Sequence, residues 1–363
     1  MASVIFYNFI LFSSTFFVWL SDKGKGHLER SFFLSIAFLL VFIPAAIRYD
    51  VGTDYLNYLR LFENYRELEN YKYKEPLFYF VNWFYLSIGA HYQWMFATFA
   101  FIFTVVAFKT YRRKHAWLLH FLFFSMLWFF SFNGMRQAVA LSWCLLALFY
   151  FFERRYFCFF TFTLIGMFFQ SALLILISGL VALIPLSNRV KYRLVPIFFI
   201  GFIFFTYISM NSVLNYIEQS LSLIGLTKYA GYFSSSKHFL SRNFGSGIGV
   251  LVKVLFSVYV IFNTKIFLQK NKNYWLLIIL TFIYSVGVVL ANNIVSFGRM
   301  ADTFVIAPIV GGFILFQFHR MRRFNRLVLG CFLFFLILTF VKVSVGVITE
   351  YGNPKLNPYM TIF

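Results

Sequence analysis

RRKHAWLLHFLFFSMLWFFSFNGMRQ, residues 112–137, decides the fold. Arg112, Arg113 and Lys114 close one side of an apolar and aromatic run from Ala116 to Phe132. That run has the length a helix needs to cross about 30 Å of hydrocarbon while keeping its backbone hydrogen bonds internal. Asn133, Gly134 and Arg136 interrupt it, and a second apolar run follows at once from Gln137 to Phe152, ending in Glu153, Arg154 and Arg155. The pattern reads as two crossings joined by a tight polar turn, with the cations gathered at the far end.

The rest of the chain repeats this pattern. Its 363 residues are 61% hydrophobic and 12% charged, 56 of them are Phe, and the mean hydropathy is +0.77. This is far from a soluble globular composition. The apolar runs do not alternate polar with apolar residues, as barrel strands would. Val4 to Leu20 lacks a basic leader and a small-residue cleavage site and is followed by lysines, so it reads as a retained helix. Cys144, Cys158 and Cys331 lie inside apolar runs without CxxC spacing, which suggests packing and not a disulfide or metal framework.

The net charge of +20 comes from 32 Lys and Arg against 12 Asp and Glu, and its distribution argues against nucleic acid. Most of the cations fall in six clusters: Lys23, Lys25 and Arg30; Lys109 and Arg112 to Lys114; Arg154 and Arg155; Arg189, Lys191 and Arg193; Lys265, Lys270 and Lys272; Arg320, Arg322, Arg323 and Arg326. The positive-inside rule places these short loops in the cytoplasm. The amino terminus then lies outside, and about 12 crossings (range 10 to 14) are expected at 3–20, 31–47, 93–110, 116–132, 137–152, 157–170, 172–186, 194–210, 246–267, 274–291, 303–318 and 327–348. The expectation is an all-α, polytopic helical bundle forming a single integral membrane domain over residues 1–363. Leu77 to Ala90 is too short to fit the count and reads as a re-entrant or interfacial helix at the outer boundary.

Three regions face outward in this scheme. The polar loop 48–76 carries Asp50, Asp54, Arg60, Glu63, Arg66, Glu67, Glu69 and Glu75. A second outer loop, 211–245, spaces Val213, Ile217, Leu221 and Ile224 as an amphipathic surface helix would. The tail, Glu350 to Phe363, regains apolar character and is expected to tuck back toward the bundle.

Arg136 is the most informative single residue, because a charge beside hydrocarbon faces a partner or a cavity. Its planar fork suits a phosphate or carboxylate, although a snorkelling helix-end arginine is the plain alternative. Arg299 stands at a second outer junction with Asp302 three residues on, where a simple helix-end ion pair is equally available. Asn292 and Asn293 add amides suited to sugar hydroxyls. His91, His120 and His238 show no metal-ligand spacing.

Several short stretches together resemble the EpsG family of Wzy-type polysaccharide polymerases. They are Arg48-Tyr-Asp-Val-Gly-Thr-Asp54-Tyr55-Leu-Asn-Tyr58 with Phe62; Glu75-Pro-Leu-Phe78; Asn133-Gly-Met-Arg136-Gln137-Ala-Val-Ala140; Phe168-Phe-Gln-Ser171-Ala-Leu173; and Pro358-Tyr359. The resemblance implies a bacterial inner-membrane glycosyltransferase with its site facing the periplasm. It would join undecaprenyl-pyrophosphate-linked oligosaccharide units into O-antigen, capsule or exopolysaccharide. The implied chemistry uses no nucleotide sugar, no cofactor and no required metal. The implied partners are the lipid-linked substrate, the bilayer and a chain-length regulator. Members often carry His in the fourth stretch where this chain has Phe169, so a base at that position is missing.

Under that resemblance Arg48, Arg136, Gln137, Ser171, Asn293, Arg299 and Tyr359 bind pyrophosphate or sugar, and Glu75, Asp50 or Asp54 takes the proton from the attacking hydroxyl. Glu75 is preferred because Pro76 and an apolar segment follow it, while helix capping would account for Asp50 and Asp54. A ligase that transfers finished glycan would use much the same site. A flippase is disfavoured because the charges gather at one membrane face and not at the midplane. An O-acyltransferase would need a buried catalytic histidine.

Overall fold

The computed structural model describes residues 2–170, 173–193, 195–197, 199–201, 248–291, 298, 301–318, 323–345 and 355–363. Of the described residues, 81% are helical. No strand forms among the described residues, apart from one isolated antiparallel bridge between Arg48 and Thr361. The chain divides into two compact units, Met1–Leu176 with Gly312–Phe363, and Ile177–Gly311.

The first unit contains α1 (Ala2–Lys23), α2 (His27–Ile47), α3 (Tyr55–Glu63), α4 (Tyr65–Glu69), α5 (Pro76–Ser87), α6 (Gln93–Phe108), α7 (Ala116–Asn133), α8 (Met135–Phe152), α9 (Tyr156–Phe169) and α15 (Arg323–Ser344). Helices α7 and α8 are its centre: 72% and 83% of their apolar windows are buried, against 28% for α1, α2 and α15. Both are apolar on every face, as buried helices are. Small residues let α9 approach α8 closely, since a Cβ on Gly166 would stand 3.0 Å from the Ala140 carbonyl.

Polar contacts define the two ends of this unit. At one end Tyr7 donates to the Leu356 carbonyl (2.7 Å), Tyr359 donates to the Pro44 carbonyl (2.8 Å), and the α7–α8 turn meets the segment after α2. At the other end Trp117 N–H donates to Asp22 (3.1 Å) and Gln317 donates to the Lys114 carbonyl (3.0 Å). Between them His120 is fully buried, bonded to Tyr111 (3.0 Å) and Ser14 (2.9 Å), which makes it a packing residue.

The second unit holds α11 (Ile248–Phe262), α12 (Thr264–Lys270) and α13 (Trp275–Leu290), with α10 (Leu173–Leu183) and α14 (Ile306–Gln317) crossing its limits. The expected crossing 246–267 bends by 51° between Phe262 and Thr264. Asn263 lies at the break, and its side chain donates to the Tyr259 carbonyl four residues back (2.8 Å), the kind of local bond that competes with a continuing helix.

Among the described residues six helices are long and apolar enough to cross a membrane, Ala2–Lys23, His27–Ile47, Ala116–Asn133, Met135–Phe152, Lys272–Val289 and Asn325–Ser344, and a seventh is reached if the bent pair counts as one. Gln93–Phe108, Tyr156–Phe169 and Ala301–Gln317 are apolar but shorter. The expected crossing 194–210 and the amphipathic helix in 211–245 fall largely or wholly outside the described residues.

Two finer differences concern the region expected to face outward. The stretch 48–76 is not a loop throughout. Tyr55, Tyr58 and Phe62 recur at helical spacing and form the buried face of α3, and Asn64 caps α4 by accepting from Glu67 N–H (3.4 Å). Helix α5 begins on Pro76 and runs for 12 residues, about 18 Å, short of a hydrocarbon layer.

Candidate functional site

The chain leaves α2 at Arg48 in an extended conformation and is clamped on both sides. On one side lies the carboxyl-terminal tail: Tyr49 N–H donates to the Met360 carbonyl (2.9 Å), Gly52 N–H to the Lys355 carbonyl (2.9 Å), and Ile362 N–H to the Ile47 carbonyl (3.1 Å). The expectation that the tail tucks back is met over 355–363. On the other side lies the α7–α8 turn, where Thr53 N–H donates to the Asn133 side-chain oxygen (2.6 Å). Gly52 makes this approach possible. Its φ is +101°, and a Cβ there would meet the Phe132 carbonyl oxygen at 2.6 Å.

Arg48 is the pin of this clamp. It is 2% exposed and donates to the carbonyls of Val51 (3.1 Å) and Phe132 (2.6 Å). Its guanidinium lies 5.2 Å from the Phe96 ring and 4.8 Å from the Phe132 ring. Gln93 donates to the carbonyls of Ala46 and Arg48. Burial pushes the Arg48 guanidinium down to about 10, far enough above neutrality to leave it charged. Read from the sequence as an anion holder, Arg48 instead lies below the surface with its donors facing backbone carbonyls.

Arg136 occupies the first turn of α8, two residues beyond the turn that Arg48 grips. It forms an ion pair with Glu75, the residue that precedes Pro76 at the start of α5. The two side chains are 20% and 15% exposed, so the pair lies at the edge of the protein and not deep inside it. Tyr71 and Phe78 face the guanidinium at 4.9 Å each, and Tyr58 at 5.9 Å. Such cation–ring contacts gain strength where water is thinned out. The Arg136 Nε meets no acceptor among the described residues.

The same surroundings tune the acid. Burial pushes the Glu75 carboxyl above its ordinary value, and the Arg136 charge offsets part of that rise. Burial likewise raises Tyr58, with Arg136 pulling the other way. The arrangement is a carboxylate of increased basicity held against a cation that retains an unused donor.

The remaining sequence candidates separate from this pair. Asp50 is bonded to Lys355 (2.6 Å), and Asp54 precedes α3 without capping it, accepting from Asn57 (3.3 Å). Gln137 is buried next to Arg136 on α8. Tyr359 donates to Pro44 through its hydroxyl and packs on Phe6 at 4.7 Å. Ser171, Asn293 and Arg299 lie outside the described residues. Phe169 is buried against Phe99 (6.0 Å), which itself touches Phe78 (5.7 Å), so the position is two rings from the ion pair. Tyr71 and Lys355 carried no signal in the sequence.

The Asp50–Lys355 pair is partly exposed, at 28% and 43%, and such pairs contribute at most about 1 kcal/mol. Lys355→Ala is therefore expected to lower the melting temperature in detergent only slightly, with the backbone bonds of the clamp intact. A collapse of melting would show that the side chain, and not the backbone, holds the tail.

Residues 31–361 match the EpsG family. No curated protein and no solved structure shows significant similarity to the chain.

Proposed function

From the chain's membership of the EpsG family, we propose that this membrane protein is a polysaccharide polymerase acting on lipid-pyrophosphate-linked oligosaccharide units. The Glu75–Arg136 pair, set in an aromatic cage where an apolar helix begins, is the observation that carries this reading. The substrate is an undecaprenyl-pyrophosphate-linked unit, the product an O-antigen or related surface polysaccharide. The site faces the periplasm from a bacterial inner membrane, in a bundle of about 12 crossings with α5 at the outer boundary.

A hydroxyl oxygen of one unit attacks the anomeric carbon of another. The new glycosidic C–O bond forms as the bond from that carbon to the pyrophosphate oxygen breaks. Undecaprenyl pyrophosphate departs with the electron pair, and Glu75 accepts the hydroxyl proton. Arg136 has two anions to serve. Before substrate arrives it holds Glu75 ionised. When the pyrophosphate engages the guanidinium, the charge that restrained Glu75 is shared, and the carboxylate becomes a stronger base at the moment a proton must be taken. Arg299 is a second candidate for the leaving group. Arg48, Asn133 and Gly52 fix the turn on which Arg136 stands.

The test is the purified protein with lipid-pyrophosphate repeat units alone. A ladder of lengthening saccharides with release of undecaprenyl pyrophosphate is the expected result. No ladder there, together with transfer of units across the bilayer of reconstituted vesicles, would make it a flippase, and no ladder together with transfer of a finished glycan to an added acceptor would make it a ligase.

A further inference from the structure

The first unit carries a second concentration of charge at the end away from Glu75 and Arg136. Helix α8 separates the two by its whole length, about 27 Å for the 18 residues from Met135 to Phe152. There, Lys109, Arg112, Arg113 and Arg155 surround a cavity of about 370 Å³ together with one carboxylate, Glu153. The floor is apolar, formed by Leu146 and Phe149.

Three features distinguish this place from an ordinary solvated charge run. The guanidinium planes are seated on rings, Arg113 at 4.0 Å from Phe149 and Arg155 at 4.8 Å from Tyr150, which fixes their direction. The turn after α8 is closed by a paired set of bonds, Arg155 N–H to the Tyr150 carbonyl (2.9 Å) and Arg154 N–H to the Phe151 carbonyl (3.0 Å). Arg154 takes a left-handed φ of +63° in a position that usually goes to glycine, so an unfavourable backbone state is kept where it sets Arg155 in place. Finally, Glu153 pairs with Arg113, while Lys109, Arg112 and Arg155 meet no carboxylate among the described residues.

We propose that this cavity binds a phosphate-bearing anion, with the cations gripping the phosphate above the Leu146–Phe149 floor. The chemistry is shared by two sources, the headgroup of an anionic phospholipid and a free phosphate or pyrophosphate ion. Basic pockets at the ends of membrane helices favour anionic lipid headgroups in general.

The experiment uses the full-length protein in neutral detergent, with three probes titrated separately: phosphatidylglycerol, phosphatidylethanolamine and inorganic pyrophosphate. The variant Lys109→Gln/Arg112→Gln/Arg155→Gln changes only exposed side chains. A second variant, Lys23→Gln/Lys25→Gln, removes cations elsewhere at the same end. Saturable phosphatidylglycerol binding that weakens roughly 100-fold in the triple variant, with little change in the double variant, is the expected result. Glu153→Gln, which removes the competing carboxylate, is expected to tighten binding.

Pyrophosphate binding with the same pattern, and none by phosphatidylglycerol, would keep the site and make the free ion its ligand. Equal weakening in the triple and double variants, or no saturable binding of either anion, overturns the proposal and leaves a solvated basic face. These readouts do not involve polymer growth, so they stand or fall independently of the polymerase reading.

Discussion

Glu75→Gln is expected to slow polymer extension by about 10²–10⁴-fold, the range over which a positioned general base acts, while leaving the amount of protein in the membrane close to normal. The amide keeps the shape of the carboxyl and can still accept from Arg136, so the cage of Tyr58, Tyr71 and Phe78 stays filled. What disappears is the acceptor for the hydroxyl proton. Arg136→Gln is expected to slow extension as well, and by a different route, through loss of the group that meets the leaving pyrophosphate. If the pair were only a structural clip, the double variant Glu75→Gln/Arg136→Gln would regain much of the activity lost by each single change. Failure of the double variant to recover separates catalysis from packing.

The pH profile supplies a second readout. Burial raises Glu75, so the acid limb of activity should lie above the ordinary glutamate value. Arg136 opposes that rise, so Arg136→Gln should move the limb to still higher pH, and Glu75→Gln should remove it. The sign for stability is opposite. A carboxyl whose folded value exceeds its unfolded value binds its proton more tightly in the fold, so its contribution to stability falls as pH rises between the two values and grows as pH falls. Loss of activity on mild acidification with no loss of melting temperature would therefore trace to Glu75 and not to unfolding. An acid limb unchanged by both substitutions would remove Glu75 from the reaction.

The sequence was informative where one residue carried a local contradiction. Arg136 between two apolar runs and Glu75 before Pro76 each stood out alone, because a charge beside hydrocarbon or at a helix entrance must be matched by something. That they match each other was not legible, since 61 residues separate them and no local period links a helix start to a second helix start. The bond between Asp50 and Lys355 spans 305 residues and was invisible for the same reason. Helix α3 could have been found: Tyr55, Tyr58 and Phe62 have helical spacing, hidden under the charges that made the region look like a loop. Crossing limits were harder, because Phe-rich runs are apolar wherever they are cut, and hydropathy does not register a single side chain such as Asn263 that ends a helix from within.

Arg48 supplies the other large expected effect, this time on stability. Arg48→Met keeps the apolar stem of the side chain and removes the guanidinium, leaving the carbonyls of Val51 and Phe132 without the partner they have now. A buried polar group without a partner costs about 1–3 kcal/mol, so two of them make about 2–6 kcal/mol, a large share of the stability of any domain. Gly52→Ala attacks the same clamp from the backbone, by placing a methyl group 2.6 Å from the Phe132 oxygen at a φ that only glycine adopts readily. Both variants are expected to lower the melting temperature in detergent and the abundance in the membrane. Protein that does accumulate should extend polymer poorly, because the turn bearing Arg136 is no longer fixed. Arg48→Lys should fall between, since both bonds come from one guanidinium nitrogen, Nη1, and the ammonium of the shorter lysine keeps the charge but stops short of that position. The alternative role, direct contact with pyrophosphate, predicts the reverse ordering: normal abundance and melting with activity lost, and Lys a fair replacement for the charge. Measuring abundance and activity together on Arg48→Met, Arg48→Lys and Gly52→Ala decides between a residue that meets the substrate and one that holds the turn on which the substrate is met.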